Sequence, residues 1–467
     1  MEYDSHISIE PISTLEKPDY SLKEIHIESI NKKIKTPFKV LSGSNIDNTV
    51  FNTIEQNVPL SIIENGRFVF NKKSCLALSQ YLTSYGSFER VSRLNSFFKI
   101  RTDLWDKSLT TISLTFEKNP FNLDSFRYKE KFFEYQLDWE DSFPVLLDYI
   151  HDRSKAFILT PDFRLKNSKI PIDLYLQYIE NSLELLAKRN KKPIFAPIQI
   201  EMAKDNLNAV ISKYSQLGIT NLWINFCAHQ CDTAYGGNGV LRTIRNTIDK
   251  YYGENEVTLY YSHIKKEISP SLRDVFVPAS DILTMFNGAD FIGVDRDPIK
   301  VPPRDDNKTP SELRQEAAIK NKFKTVAEYE LALKYHKNRI FDPDTYYYFV
   351  INGYPDDLLF NQNSLLLDES LNQFTNSYYL YSEIEKTRNK VEDFTKDEMK
   401  IRLLSDAKKR EELRKELTLK KKSFVKYLKN KKAIEENEQI RNMVIPDNKQ
   451  RSLNLDNTDP IDLLSAF

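Results

Sequence analysis

The sequence predicts an α/β protein built on a (β/α)8 barrel of the TIM type, followed by a C-terminal charged helical extension. Two apolar runs, residues 156–162 and 193–199, are bounded by breakers and fit buried parallel strands, and the segment between them, residues 172–188, carries apolar residues at helical spacing. Strand-like and helical segments continue to alternate as far as Asp295, which is typical of a parallel sheet. With the earlier strand-like segments, the count reaches about eight, which favours a closed barrel over an open doubly wound sheet.

The remaining elements follow from local patterns. Short strands that end in turn formers, or alternate apolar and polar residues, are expected at residues 36–43, 60–66 and 110–117. Beyond residue 117, further strands are expected at residues 221–226, 257–261 and 289–295, with helices at residues 139–150, 203–217, 240–252 and 278–287. These patterns divide the chain into an N-terminal extension, a TIM-like barrel, a mostly helical C-terminal region and a disordered tail, at residues 1–35, 36–303, 304–445 and 446–467.

Composition limits the classes of partner. Lysine and arginine number 67 together, as do aspartate and glutamate, so no global field draws the protein to nucleic acid or membrane. Any such partner must meet a local patch, and the lysine-rich residues 420–432 are either a solvated helix face or a phosphate-binding surface. The tail ends in an acidic and apolar peptide, residues 459–467, of the kind that docks into a partner protein's groove; a frayed terminus is the other interpretation.

Cysteine usage and hydropathy indicate the compartment. The three cysteines are too few and too irregularly spaced for a disulfide framework, and the first residues lack a signal-peptide pattern. No stretch approaches the roughly 20 apolar residues of a membrane span. We therefore expect a cytoplasmic protein that does not bind a membrane.

Two polar residues close the strands of the first βαβ unit. Asp162 and Gln199 end their predicted strands, and functional side chains of parallel sheets lie at the carboxyl ends of strands. A carboxylate and a carboxamide that face one pocket can bind the donor and acceptor edge of a purine-like base. The competing interpretations are a turn residue for Asp162 and a surface residue for Gln199. The chain has no GxGxxG fingerprint and no P-loop.

The order of these motifs resembles the tRNA-guanine transglycosylase superfamily, TIM-barrel enzymes that exchange guanine for a 7-deazaguanine. The similarity begins at Thr36-Pro37, followed by Ser42-Gly43-Ser44, and includes Phe157-Ile-Leu-Thr-Pro-Asp162 and Phe195-Ala-Pro-Ile-Gln199. It ends at Gly288-Ala-Asp-Phe-Ile-Gly-Val-Asp295, which is similar to the region of the family's nucleophilic aspartate. Direct register places Gly293 on the nucleophile position, between Asp290 and Asp295.

The resemblance implies a mechanism and a set of residues. A carboxylate attacks the anomeric carbon, expels the base and holds the sugar as an ester until a second base attacks, and no cofactor is needed. Asp295 is the preferred nucleophile because it lies at the predicted strand end, and Asp290 is the alternative. The target base must leave the stack. The residues expected to bind the substrate are Asp162, Gln199, Ser44, Asn225 and His229.

The chain also departs from the family. The Asp-Ser-Gly-Gly-Phe-Gln signature is missing, and Cys227-Ala-His-Gln-Cys231 does not match the zinc site of the bacterial tRNA enzymes. No tRNA-binding appendage is recognisable, which favours DNA over tRNA as the nucleic-acid partner. Two other functions compete with base exchange. One is a nucleic-acid-binding scaffold on a degenerate barrel, and the other is a metal-assisted barrel hydrolase that would use His229, His263, Asp162 and Asp295.

Overall fold

The computed structural model describes most of the chain between residues 3 and 433. The residues outside the description are 1–2, 4, 16–19, 44–45, 47, 59–60, 70–71, 84–85, 101–107, 118–119, 121–127, 131–132, 136–138, 169, 190–191, 230, 232–238, 253–256, 266–275, 280, 297–308, 344–345, 351–358, 404 and 434–467. Ser44 and the C-terminal tail therefore lie outside the described residues.

The described elements form a mixed α/β structure. The strands are β1 (Ile7–Leu15), β2 (Tyr20–Ile27), β3 (Lys32–Lys35), β4 (Phe38–Lys39), β5 (Leu41–Ser42), β6 (Ile62–Val69), β7 (Leu109–Phe116), β8 (Tyr128–Glu130), β9 (Phe133–Tyr135), β10 (Ile158–Leu159), β11 (Asp162–Phe163), β12 (Ile194–Gln199), β13 (Asn221–Asn225), β14 (Thr258–Ser262), β15 (Phe276–Pro278), β16 (Phe291–Ile292), β17 (Arg339–Asp342) and β18 (Tyr347–Val350). The α-helices are α1 (Asn48–Asn57), α2 (Lys72–Thr83), α3 (Ser87–Phe98), α4 (Trp139–Arg153), α5 (Leu165–Ser168), α6 (Ile172–Ala187), α7 (Lys204–Gln216), α8 (Val240–Tyr251), α9 (Pro310–Lys320), α10 (Val326–Lys337), α11 (Gln362–Leu367), α12 (Glu369–Leu403) and α13 (Ala407–Ala433). Short 3-10 helices cover Glu28–Ile30 and Ile282–Phe286.

The structure confirms the α/β class and the parallel sheet, which curls as a half-barrel. Six strands pair in the order β10, β12, β13, β14, β16 and β4, and four more in the order β11, β7, β6 and β5. All pairs within these two sheets are parallel. Strand β6 is longer than its pattern predicts, since it continues from Ile62 through the expected turn to Val69.

The parallel strands are buried on both faces. Side chains on the concave face include Phe157, Phe195, Trp223, Tyr260 and Phe291, all with no solvent exposure, and they pack as one aromatic layer. Alternate residues of the same strands belong to a second core under the helices, as the two-residue period of a strand requires. Polar side chains on the concave face therefore lie next to an apolar layer.

The N-terminal extension and the C-terminal region pack against the parallel strands. Strands β1, β2 and β3 form an antiparallel sheet, and helix α12 contacts its last strand through the Lys35–Glu392 ion pair at 2.8 Å. Strand β15 pairs with β18 and β18 with β17, so one small sheet joins the expected barrel and C-terminal regions across residue 303. Within the described residues, no helix is long and apolar enough to cross a membrane.

Candidate active site

Three of the expected site residues meet where β11 lies beside the carboxyl ends of the paired strands β12 and β13. Asp162, Gln199 and Asn225 belong to β11, β12 and β13, and none of them is exposed to solvent. Gln199 Nε2 donates a hydrogen bond to Asp162 Oδ1 and Asn225 Nδ2 donates one to Asp162 Oδ2, both at 2.7 Å. These three residues are therefore in direct contact inside the protein.

Asp162 is the acceptor at the centre of this group. Tyr175 of α6 also donates a hydrogen bond to Asp162 Oδ1, at 3.1 Å. Burial raises the pKa of Asp162 to about 6, although the hydrogen bonds from Gln199, Asn225 and Tyr175 favour the ionised carboxylate. Desolvation therefore outweighs three donors, and the carboxyl group titrates close to neutral pH.

The two amides are fixed in orientation because their partners are inside the protein. Gln199 Nε2 donates a second hydrogen bond to the Phe163 carbonyl, and Gln199 Oε1 accepts one from the Leu165 amide. Asn225 Nδ2 donates a second one to Thr115 Oγ1 at 2.9 Å. Both hydrogens of each amide are therefore engaged, and a base can reach these groups only by displacing one of these contacts.

A second polar group adjoins the first, and only its histidine, His263, was named from the sequence, as a metal ligand of the competing hydrolase. Glu64 of β6 and Ser113 of β7 are hydrogen-bonded, and Ser113 Oγ lies 2.8 Å from Nε2 of His263, the residue after β14. His263 Nδ1 lies 3.0 Å from Asn225 Oδ1, which joins the two groups into one network. One sequence signal could have identified Glu64, because it follows two isoleucines in a strand-like run. A carboxylate at such a position is expected to be buried, and a buried charge requires partners.

Burial sets the protonation of the second group. It raises the pKa of Glu64, against the opposing effect of hydrogen bonds from Ser113, Tyr260 and the Val294 amide and of the Lys39 charge. Burial also lowers the pKa of His263 far below its usual value, with the Arg296 charge acting in the same direction. The pKa of Lys39 is lowered by burial as well. Both Glu64 and His263 are thus favoured in their neutral forms.

Two glycines shape the space around Glu64 and His263. A Cβ atom at Gly293 would lie 2.3 Å from Glu64 Oε2, so only glycine lets β6 and the end of β16 approach this closely. A Cβ atom at Gly66 would lie 3.3 Å from Ser113 Oγ and 3.4 Å from His263 Nε2. Gly66 itself is exposed to solvent. Solvent therefore reaches the backbone at Gly66, which lies beside Ser113 and His263, two side chains that are themselves at most 1% exposed.

A charged rim surrounds the buried network. Arg164, after β11, forms ion pairs with Glu117 at 2.8 Å and with Glu201 at 2.5 Å. His229 Nε2 lies 3.8 Å from Glu201 Oε2, and its side chain is 44% exposed. Among the expected substrate-binding residues, His229 thus lies on this rim.

The two candidate nucleophiles lie at opposite ends of strand β16. Asp290 precedes the strand, is fully buried and pairs with Lys23 of β2 at 3.0 Å, while its Oδ2 also accepts a hydrogen bond from the Leu259 amide. Asp290 therefore lies at the amino end of the strand, in an ion pair that ties the N-terminal sheet to the parallel strands.

Asp295 follows the strand at its carboxyl end, where it bridges Ile264 and is only partly buried. Among the described residues, none donates a hydrogen bond to its carboxylate. The charge of Asp295 favours protonation of Lys39, although burial opposes it. The next residue, Arg296, lies with its guanidinium carbon 3.3 Å from the centroid of the Phe68 ring. Asp295 is thus the more accessible of the two carboxylates.

The cysteines do not form a metal site with His229. Cys227 and Cys231 are buried thiols that form no disulfide, and burial raises the pKa of Cys227 well above its usual value. Within the described part of the chain, no group of three histidine, cysteine, aspartate or glutamate side chains is arranged to hold a metal ion. The metal-assisted hydrolase therefore lacks a ligand set among these residues.

Fold and site together define an α/β protein with a buried carboxyl and amide network at the carboxyl ends of parallel strands. The chain matches no protein-family model and no curated protein. It is similar to a fructose-bisphosphate aldolase from Campylobacter jejuni, at 12% identity over 74% of this chain and 89% of that one, with a TM-score of 0.34. The carboxyl transferase domain of Rhizobium etli pyruvate carboxylase is 9% identical over 78% of this chain and 57% of that one, with a TM-score of 0.30. Resemblances this distant do not bear on activity.

Proposed function

We propose that this protein is a base-exchange transglycosylase that replaces guanine in a nucleic acid, DNA rather than tRNA, by a 7-deazaguanine. The observation that carries the proposal is the buried contact of Asp162 with Gln199 and Asn225, where β11 lies beside the carboxyl ends of β12 and β13. These groups offer both hydrogen-bond donors and an acceptor to the edge of an extruded base. The incoming base edge would replace the Gln199–Asp162 hydrogen bond.

We further infer that the parallel strands form one closed (β/α)8 barrel. Strand β4 pairs with β16, and β5, which follows after Val40, pairs with β6. Strand β10 pairs with β12, and β11, only two residues further along, pairs with β7. If β4 with β5, and β10 with β11, are each one bent strand, the two sheets join into a ring of eight. A ring would direct all strand ends, including that of Asp295, toward one opening.

Asp295 is the proposed nucleophile. A carboxylate that attacks a sugar carbon must have an accessible oxygen, and Asp295 is partly buried whereas Asp162 and Glu64 have at most 1% exposure. The oxygens of Asp162 and Glu64 also accept hydrogen bonds from protein donors. Attack at the anomeric carbon releases guanine and leaves an Asp295–sugar ester, which the 7-deazaguanine then displaces.

Base exchange is tested by mass spectrometry of nucleosides. Purified full-length protein is incubated with DNA or with tRNA in the presence of a free 7-deazaguanine base, and the digested polymer is analysed. We expect a modified deoxyguanosine analogue in the DNA and a matching release of free guanine. The proposal is wrong if neither polymer gains the modified base. Incorporation into tRNA alone would keep the activity and overturn the choice of DNA.

Helix α13 supports a nucleic-acid partner. It carries ten lysines and two arginines against three glutamates, a net charge of +9, in a chain whose overall charge is zero. Lys408, Lys409 and Lys422 are exposed. A local excess of this size attracts phosphate and releases condensed counterions when it binds.

Neutralising this helix is expected to weaken nucleic-acid binding in a salt-dependent way. The variant Lys408→Gln, Lys409→Gln, Lys422→Gln loses three charges, so the slope of log K against log salt for duplex DNA falls by about 2 to 3. Fluorescence anisotropy at several salt concentrations measures the slope. The matched control carries the same change at three exposed lysines elsewhere, Lys188, Lys250 and Lys320. An equal loss in both variants would show that α13 is an ordinary solvated helix.

A further inference from the structure

Glu64, Ser113 and His263 form a chain of hydrogen-bonding groups across the concave face. Ser113 Oγ contacts Glu64 Oε1 on one side and His263 Nε2, at 2.8 Å, on the other. The serine hydroxyl has a single proton and can donate it to only one of these neighbours. Whichever neighbour does not accept that proton must itself donate to the serine oxygen.

The tautomer of His263 follows from the orientation of Asn225. Asp162 accepts a hydrogen bond from Asn225 at 2.7 Å, so the NH2 group of Asn225 faces Asp162. The side-chain carbonyl oxygen of Asn225 therefore faces His263. The Cys227 amide donates to the same oxygen at 3.0 Å, which fixes the orientation from a second side. His263 Nδ1 therefore carries a hydrogen, and Nε2 of the neutral ring has a free lone pair directed at Ser113.

Two proton arrangements satisfy these contacts. In the first, the Glu64 carboxylic acid donates to Ser113 Oγ, and the serine hydroxyl donates to neutral His263. In the second, protonated His263 donates to Ser113 Oγ, and the serine hydroxyl donates to the Glu64 carboxylate. The two differ only by the transfer of one proton from Glu64 to His263 through the serine, and no heavy atom changes place.

The surroundings favour the first arrangement at rest. Burial raises the pKa of Glu64 and lowers that of His263, and the Arg296 charge further disfavours a protonated ring. The second arrangement is stabilised by donors to Glu64 Oε2, namely Tyr260 at 2.5 Å and the Val294 amide at 2.8 Å, and by the charge of Lys39. The pair is therefore neutral at rest, with groups already in place that accept the charge on Glu64.

We propose that Glu64, Ser113 and His263 are a proton relay that opens to substrate beside Gly66. The proposal rests on the proposed base exchange and names its acid and base. When the C1′–N bond breaks, its electron pair stays on the departing guanine, which takes a proton from the relay at the Ser113 and His263 end. The incoming 7-deazaguanine returns one proton to the relay as its ring nitrogen attacks C1′ and displaces the Asp295 carboxylate. One proton leaves and one returns, so each turnover restores the resting state.

The first test does not depend on activity. Nitrogen-15 NMR of the histidine rings, with His263 assigned among the six histidines by a His263→Gln variant, reports the tautomer. We expect a neutral ring with hydrogen on Nδ1 at pH 7, and a changed Nε2 shift in Ser113→Ala and Glu64→Gln. A ring with hydrogen on Nε2, or Nε2 shifts that neither variant changes, would overturn the relay whatever the protein catalyses.

The second test measures base exchange. Ser113→Ala interrupts the relay, and we expect guanine exchange to slow by about 10²-fold to 10⁴-fold with a flattened pH profile, since general acid–base catalysis contributes this much. Ser262→Ala is the matched control, because it removes another buried hydroxyl. The oxygen of this hydroxyl, on β14, accepts a hydrogen bond from Trp223 Nε1 at 2.8 Å. Equal slowing and an unchanged pH profile in both variants would assign Ser113 a packing role. If wild-type protein exchanges no base while the NMR result holds, the proposed function fails and the relay stands.

Discussion

Asp295→Ala is expected to abolish base exchange while the protein stays folded. The side chain is partly buried, and its loss leaves no described donor without a partner, so the melting temperature should stay close to that of wild type. Removing the nucleophile of a covalent mechanism typically costs on the order of 10⁴-fold or more in rate. The measurement is incorporation of the 7-deazaguanine into DNA, with trapping of a covalent protein–DNA species on a denaturing gel.

The control for this variant is Asp205→Ala, which removes an exposed carboxylate in the first turn of α7. It should form the covalent species at the wild-type level. If Asp295→Ala still forms that species, the nucleophile is another carboxylate, and Glu64→Gln is the next variant to examine. Loss of the covalent species in both aspartate variants would indicate that the assay reports general charge rather than chemistry.

Asp162→Ala is expected to have the largest effect on stability among single substitutions in the network. It removes the acceptor shared by Gln199, Asn225 and Tyr175. Each buried donor that loses its partner costs about 1 to 3 kcal/mol of stability. All three donors keep a second acceptor, which limits the cost. We therefore expect the free energy of unfolding at pH 5 to fall by about 2 to 5 kcal/mol in total. Urea unfolding measures the change in the free energy of unfolding. A loss below about 0.5 kcal/mol would contradict the central position of Asp162.

The same residue gives stability a defined pH dependence. The pKa of Asp162 is about 6 in the folded protein against a usual value of 3.8, so the folded state binds this proton more tightly than the unfolded state. The stabilisation is complete below pH 3.8 and is lost as the pH rises through 6. A shift of this size corresponds to about 3 kcal/mol. We expect wild-type protein to lose about this much stability relative to Asp162→Asn between pH 4 and pH 8, and parallel curves would contradict the shift.

The position of the proposed base-binding residues could be predicted from strand patterns alone. Asp162, Gln199 and Asn225 each close an apolar run, and the carboxyl ends of neighbouring parallel strands meet at one edge of the sheet. Local patterns were enough to locate these residues, because the place of each residue within a strand depends only on the sequence of that strand. The expectation that Asp162 and Gln199 are open to a base was not met in this structure, since their hydrogen bonds are made to each other.

The other half depends on contacts that no local pattern contains. The sequence did not indicate Glu64 as a site residue, because the Asn65-Gly66 pair is typical of a turn. In the structure, pairing with β7 keeps the chain extended to Val69. Ser113 lies in an alternating strand, where a serine usually faces solvent, and His263 takes a positive φ of 57° that follows no sequence signal. These residues come together only because their strands are neighbours in space.

The sequence by itself determined the α/β class, the parallel strands and the carboxyl-end position of Asp162, Gln199, Asn225 and Asp295, because periodicity and chain breaks act within a few residues. Tertiary structure alone decided which polar groups share a hydrogen bond, that Asp290 belongs to a structural ion pair with Lys23, and that Glu64 and His263 are buried together. The physical reason is that burial and pairing are properties of the assembled sheet. The protonation states that the proposed chemistry requires are set by that burial, which no single segment specifies.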